Sequence, residues 1–125
     1  MEDVARPVRD QLVAYNARDL DAFVRCWADD CLYYAFPDAL LAEGADALRA
    51  RHAVRFQDPY LHGDLIARRV IGDLVVDQEV VTRLYEGRLG QADVVAIYQV
   101  TDGLIAKAWF IQSPARPLDD WGVRP

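Results

Sequence analysis

Few side chains in this sequence combine a titratable group with an apolar setting, and His52 is the foremost. It stands between Leu48 and Phe56 at four-residue spacing, so one stripe of a helix carries all three, with Arg49, Arg51 and Arg55 expected on the water side. A histidine facing a cavity is desolvated and held neutral, able to act as acid, base or hydrogen-bond acceptor. In the same place it can also be a hydrogen-bonded core residue, and the spacing does not separate the two. Tyr34, on an early strand, supplies the hydroxyl paired with His52 as the candidate catalytic set. Tyr15, Trp27, Phe56, Gln78, Tyr98 and Trp109 are the candidate ligand-binding residues, a set suited to a flat, mostly apolar molecule. Trp27 and Phe56 serve equally well as ordinary core, whereas buried tyrosine hydroxyls need partners. A third group, Arg68, Asp77 and Glu79, reads either as a carboxylate dyad oriented by an arginine or as a cross-strand ion pair. The pairing arithmetic favours the ion pair. His52 and His62 lie ten residues apart without a metal-ligand pattern, and there is no glycine-rich phosphate loop or nucleophile elbow. No metal or cofactor is expected.

These residues hang on a chain whose central stretch, residues 62–86, reads as two long strands joined at Gly72-Asp73. A Gly-Asp pair supplies the backbone freedom that a two-residue hairpin turn needs. Pairing Ile71 with Leu74 puts Arg68 opposite Asp77 and Arg69 opposite Val76. Strict alternation then gives one face Ile66, Arg68, Val70, Val75, Asp77, Glu79 and Val81. The other face takes Arg69, Ile71, Leu74, Val76, Gln78 and Val80. Before the hairpin, Val4, Val8, Leu12 and Tyr15 form a helical stripe within residues 3–18. Asp19 caps a second short helix carrying Leu20, Phe23, Val24 and Trp27. Strands follow at 31–36 and 40–43, then a helix over 45–57. Beyond the hairpin lie strands over 92–100 and 104–112. Residues 113–125 form a proline-rich, irregular tail with Trp121 as its anchor. Helices segregated from a run of antiparallel strands indicate an α+β domain, 1–125 being one unit. Its curved antiparallel sheet wraps around the helices and leaves a conical pocket.

Composition narrows the function further. The 125 residues carry a net charge of -6, 53% hydrophobic and 27% charged residues. An acidic chain with no basic stripe argues against nucleic acid and anionic membrane surfaces. No apolar run approaches a membrane span and the charged start is no signal peptide, so a cytoplasmic location is expected. Cys26 and Cys31 read as buried thiols.

The stretches AYNARDLDAFVRCWADD, LLAEGADALRARH, HGDLIARRVIGDLVVDQE and AIYQVTDGLIAKAWFI resemble the NTF2-like superfamily, in particular its SnoaL-like and ketosteroid-isomerase-like members. The resemblance implies the curved-sheet α+β fold and leaves activity open, because the superfamily holds isomerases, cyclases, dehydratases, hydrolases and proteins that only bind. The isomerases use a carboxylate base with a tyrosine and a protonated aspartate as oxyanion hole. Carried onto this chain, the tyrosine falls on Gln11, the base on Ala35 and the protonated acid on Ala96, so that machinery is missing. The expectation is a pocket for a small apolar, polyketide- or steroid-like molecule, with acid-base chemistry from other residues. The alternative is a non-catalytic dimerisation or ligand-sensing module. A homodimer is expected through the sheet face, on Val70, Val75, Val81, Val95 and Ile97, since a monomer rarely exposes such a patch.

Overall fold

A computed structural model describes residues 3–118; Trp121 lies outside the described residues. Helix α1 is Arg6–Ala17 and α2 is Leu20–Val24. Pro7 sits in the first turn of α1, where its missing N–H costs nothing. The Asp19 side chain caps α2 by accepting from the Ala22 N–H at 3.1 Å. Strands β1 (Trp27–Ala35) and β2 (Ala39–Glu43) precede helix α3 (Ala45–Arg55). Then come β3 (His62–Ile71), β4 (Leu74–Tyr85), β5 (Arg88–Thr101) and β6 (Leu104–Gln112), with a two-residue β7 at Arg116–Pro117. The sheet order is β2-β1-β6-β5-β4-β3, and β7 pairs with β5. The architecture is the α+β fold expected. Three differences are local: Trp27, expected on the second helix, opens β1 instead, β1 and β6 run parallel, and the tail contributes a strand that pairs at Gly90 and Gln91.

The β3–β4 register is the one the turn dictates, with Ile71 opposite Leu74, Arg69 opposite Val76 and Arg68 opposite Asp77. Arg68 grips Asp77 through two hydrogen bonds, Nε to Oδ1 at 2.7 Å and Nη2 to Oδ2 at 2.9 Å. Asp77 is wholly buried. A two-pronged guanidinium–carboxylate contact is directional as well as strong, so it locks the hairpin register.

Alternation fails where the strands bulge. Leu65 faces Glu79 and Ala67 faces Gln78, which leaves Ile66 as the extra residue. Residues before the bulge are thereby turned over, so Gly63 and Leu65 pair with Val81 and Glu79, while His62 and Asp64 pair with Thr82 and Val80. A second bulge at Ala106 falls between the pairs Gln99–Lys107 and Val100–Ile105. It puts Ala108 opposite Tyr98 and Trp109 opposite Ile97.

The inner face, under the helices, carries Val75, Asp77, Glu79 and Val81 on β4, and Ala92, Val94, Ala96, Tyr98 and Val100 on β5, all buried. The expected dimer patch is therefore not one surface. Val75 and Val81 belong to the inner face, whereas Val95 and Ile97 point the other way and are half-buried on the outer face. Ile97 there pairs with Trp109, whose ring stacks on Tyr34 at a centroid distance of 5.9 Å. Exposed Ile111 pairs with Val95 in the next row.

Helix α1 is pinned to the edge strand by Asn16, whose amide donates to the Gly63 carbonyl at 3.0 Å and whose Oδ1 accepts the Gly63 N–H at 2.8 Å. A Cβ on Gly63 would meet Glu79 Oε1 and Leu12 Cδ1, each at 3.3 Å. Glycine thus leaves room for both the helix and the Glu79 carboxyl. Among the described residues no helix is long and apolar enough to cross a membrane.

The Arg68–Asp77 pair yields a clear expectation. Arg68→Met strands a buried carboxylate and Asp77→Leu strands a largely buried guanidinium, and each loss of one partner is expected to cost about 3 kcal/mol in urea unfolding. The double variant is expected to cost much less than the sum. Additive losses would show that the two groups do not depend on each other.

Candidate functional site

A cavity of about 170 Å³ opens between α1, α3 and the inner face of the sheet. Its apolar wall is aromatic: Tyr15, Phe23, Trp27, Tyr33 and Phe110 line it. Their edges and faces interlock, with Tyr33 and Phe110 rings at 4.6 Å and Phe23 and His52 rings at 4.5 Å. Its polar groups are Gln11, His52, Glu79, Tyr98, Gln112 and three arginines.

His52 faces this cavity as its helical stripe requires, and is 4% exposed. Its Nδ1 lies 3.0 Å from the Leu48 carbonyl. A carbonyl can only accept, so Nδ1 carries the hydrogen and the Nε2 lone pair remains for the cavity. Burial pulls the imidazole pKa down to about 4, the bond to Leu48 opposes this, and Arg55 and Arg51 add to the depression. The ring is neutral near neutral pH.

Glu79 is the residue that the sequence reading set aside as part of an ion pair. Asp77 takes Arg68, and Glu79 has no cation within ion-pair distance among the described residues. It is 7% exposed, it lines the cavity, and its buried Oε2 has no hydrogen-bond partner. Burial raises its carboxyl from 4.5 to about 7; the charge on Asp77 pushes in the same direction, and Arg68 partly offsets both. A carboxyl poised near 7 with an unpartnered oxygen on a cavity wall has the form of a general acid or base. One arginine facing two alternating acids, Asp77 and Glu79, was the signal available, because the count leaves one carboxylate over.

Tyr98 is buried on the same face of the sheet as Glu79, and its hydroxyl accepts from Gln11 Nε2 at 3.3 Å. Desolvation and the charges of Glu79 and Asp77 raise its pKa well above 10, so it stays protonated. Tyr15 and Tyr33 are raised by burial likewise. Trp27 also lines the cavity, with its buried indole N–H unpartnered. Native interiors rarely leave such groups unmatched.

The other expected site residues divide by face. Tyr15, Trp27 and Tyr98 lie on the cavity. Phe56 packs behind it, with its ring 5.4 Å from Phe23 and 5.6 Å from Tyr15. Tyr34, Gln78 and Trp109 do not reach it: Tyr34 and Trp109 stack on the outer face and exposed Gln78 shares that face. Tyr33, the neighbour of Tyr34, takes the inward position, and the bulge at Ala106 gives Phe110 the place expected of Trp109. His62 is exposed on the outer side, its Nε2 3.1 Å from Asp64 Oδ1. Arg51 and Arg55 also depart from expectation, since both line the cavity while Arg49 turns outward to Asp21 at 2.7 Å. They stand one residue to one side of the His52–Phe56 stripe, about 100° round the helix, and long side chains reach across that angle.

Fold and cavity together define a small α+β domain with an aromatic pocket between helices and a curved sheet. The family model for the SnoaL-like domain matches residues 8–108, and the chain belongs to that family. An uncharacterized cystatin-fold protein from Novosphingobium aromaticivorans is 25% identical, with a TM-score of 0.81 over 89% of this chain and 99% of that one. IdmH from Streptomyces antibioticus, described as a candidate polyketide cyclase, superposes with a TM-score of 0.76 at 16% identity, covering 90% and 93%. A protein with a ketosteroid isomerase-like fold from Catenulispora acidiphila, solved with trimethylamine, gives 0.77 at 16% identity over 93% and 92%. No curated protein sequence matches the chain.

The carboxyl of Glu79 titrates higher in the folded than in the unfolded chain, so the folded state holds the extra proton between about 4.5 and about 7. Stability contributed by that proton is present below this window and lost as pH rises through it, about 3 kcal/mol in all. Glu79→Gln cannot ionise. It is expected to match the wild type near pH 5 and to exceed it by about that amount near pH 8.5, read by urea denaturation. A difference that does not change with pH would show that Glu79 titrates normally.

Proposed function

We propose that the cavity binds a small, mostly apolar ring compound and that Glu79 exchanges a proton with it. The observation that supports this is the Glu79 carboxyl itself: buried, unpartnered at Oε2 and poised near neutrality on an aromatic wall. In its ionised form Glu79 takes a proton from a carbon or oxygen acid of the ligand, and returns it to another position of the same molecule. Neutral His52, through Nε2, and the Tyr98 hydroxyl hold the polar atom of the ligand. The size of the cavity limits the ligand. A cavity of about 150 Å³ holds a benzene ring, so 170 Å³ suits one ring with a short substituent rather than a four-ring steroid. Tyr34, expected as the partner of His52, has no place in this scheme.

The test is deuterium incorporation next to the carbonyl of phenylacetone in heavy water, followed by NMR. Wild-type protein is expected to accelerate exchange over buffer, and Glu79→Gln to lower that rate at least a hundredfold. Exchange that survives in Glu79→Gln removes the proposed role. Binding of phenylacetone without exchange makes the domain a ligand-sensing module instead.

The homodimer is proposed on the outer face, now through Val95, Ile97, Trp109 and Ile111 rather than the mixed set first expected. Half-buried and exposed apolar side chains contiguous across β5 and β6 support it. Ile97→Asp is expected to convert a sedimenting dimer to monomer, and a wild type that sediments as monomer at micromolar concentration would refute the interface.

A further inference from the structure

The cavity contains more positive charge than its chemistry so far uses. Arg51, Arg55 and Arg83 all line it. Five other arginines of this acidic chain have a carboxylate partner: Arg6 pairs with Asp10, Arg9 with Asp3, Arg49 with Asp21, Arg68 with Asp77 and Arg116 with Asp93. Among the described residues the three cavity arginines make no ion pair. Arg51 and Arg83 are held instead by aromatic faces and backbone. The Arg51 guanidinium lies 5.4 Å from the Tyr33 ring centre and that of Arg83 lies 3.9 Å from the Tyr85 ring centre. Arg83 Nη1 also donates to the Leu84 carbonyl at 2.9 Å.

This arrangement works against itself when nothing anionic is present. Arg51 and Arg55 are one helical turn apart, the spacing at which like charges repel. Arg83 is half-buried on β4, and Arg55 adds to the cost of charging it. The acidic residue that lines the same cavity, Glu79, gives no compensation while it is protonated. A planar guanidinium presents a donor fork that fits carboxylate and phosphate oxygens, and such groups near an apolar wall select a molecule that is apolar at one end and anionic at the other.

We propose that Arg51, Arg55 and Arg83 form an anion-binding end of the cavity, and that its ligand is a one-ring compound bearing a carboxylate. The carboxylate sits among the arginines and the ring lies on Tyr33, Phe23 and Phe110. Part of this rests on the reading of the cavity as a ligand site; it does not require that Glu79 transfer a proton.

The probes are phenylacetate and its neutral isostere phenylacetamide, with phenyl phosphate as the second anion, measured by calorimetry and thermal shift near pH 6, where Glu79 keeps its proton. Wild type is expected to bind phenylacetate at least tenfold more tightly than the amide, with affinity falling as salt rises. Arg55→Gln and Arg83→Gln are each expected to lose most of that preference, to leave the amide unchanged, and to melt higher than wild type without ligand because a repulsion is gone. Equal binding of acid and amide by wild type, or binding of neither, overturns the proposal, as does a preference that persists in both variants. Tighter binding of phenyl phosphate than phenylacetate keeps the anion site and overturns the carboxylate as its ligand. Glu79→Gln separates the two readings: it is expected to bind phenylacetate as wild type does even where it no longer exchanges deuterium into phenylacetone.

Discussion

The two-pronged contact between Arg68 and Asp77 is the constraint on which the inner face depends. It joins the two longest-range features of the hairpin, register and charge, in one place. With Asp77 wholly buried, a slip of the register by one residue would leave a carboxylate in the core with no cation. The hairpin therefore has one permitted alignment, and every residue of β4 inherits its face from it. The same contact separates two neighbouring acids. Asp77 has the guanidinium of Arg68 as its partner. Glu79, two residues on, has none, feels the charge of Asp77 as repulsion, and holds its proton to about pH 7. A structural ion pair thus creates the condition for chemistry beside it.

The hairpin turn, its register, the helix spacing around His52 and the α+β layout were legible from residue types alone, because each rests on local rules: positive φ at the turn, a four-residue repeat, an aspartate cap. What could not be read were the bulges. A single extra residue at Ile66 or Ala106 reverses the alternation for the rest of the strand, and neither position differs in composition from its neighbours. That is why Trp109 is expected on the cavity and Phe110 is not. The mixed valine patch has another cause: the unbroken β4–β5 pairing puts Val95 opposite Gln78 and Ile97 opposite Val76, on the face away from Val75 and Val81. The three cavity arginines were missed for a different reason. A charged residue flanking an apolar helical stripe looks solvent-facing by periodicity, and only the position of the opposite strand shows that its head group ends inside.

The positions at which the resemblance to ketosteroid isomerases puts catalytic groups take on a second meaning in the structure. Ala35 and Ala96 lie in one row across the sheet, Ala35 beside Phe110, Phe110 beside Ala96 and Ala96 beside Asp77. Ala35 and its neighbour Phe110 both line the cavity. Gln11, in place of the tyrosine, donates its amide to the Tyr98 hydroxyl rather than offering a hydroxyl of its own. Glu79 stands in the adjoining row, opposite Val94, so the carboxyl that lines this cavity comes from a different position from those the resemblance to the isomerases marks.

The polar groups of the cavity share one electrostatic logic. Each is held in the protonation state that carries no charge, or else is a guanidinium that cannot lose its charge. His52 is neutral because burial and two arginines disfavour its cation. Tyr15, Tyr33 and Tyr98 are neutral because burial disfavours the phenolate. Glu79 is neutral up to about pH 7 for the same reason, strengthened by Asp77. Desolvation alone would make this pocket a neutral, hydrogen-bonding one. The arginines break the symmetry: they leave the pocket net positive whenever Glu79 is protonated, and nearer to balance when it is not. An entering anion and an ionised Glu79 therefore compete for the same positive field. On the proposed anion site, binding of the anion favours the protonated acid, and a proton leaving Glu79 weakens the hold on the anion.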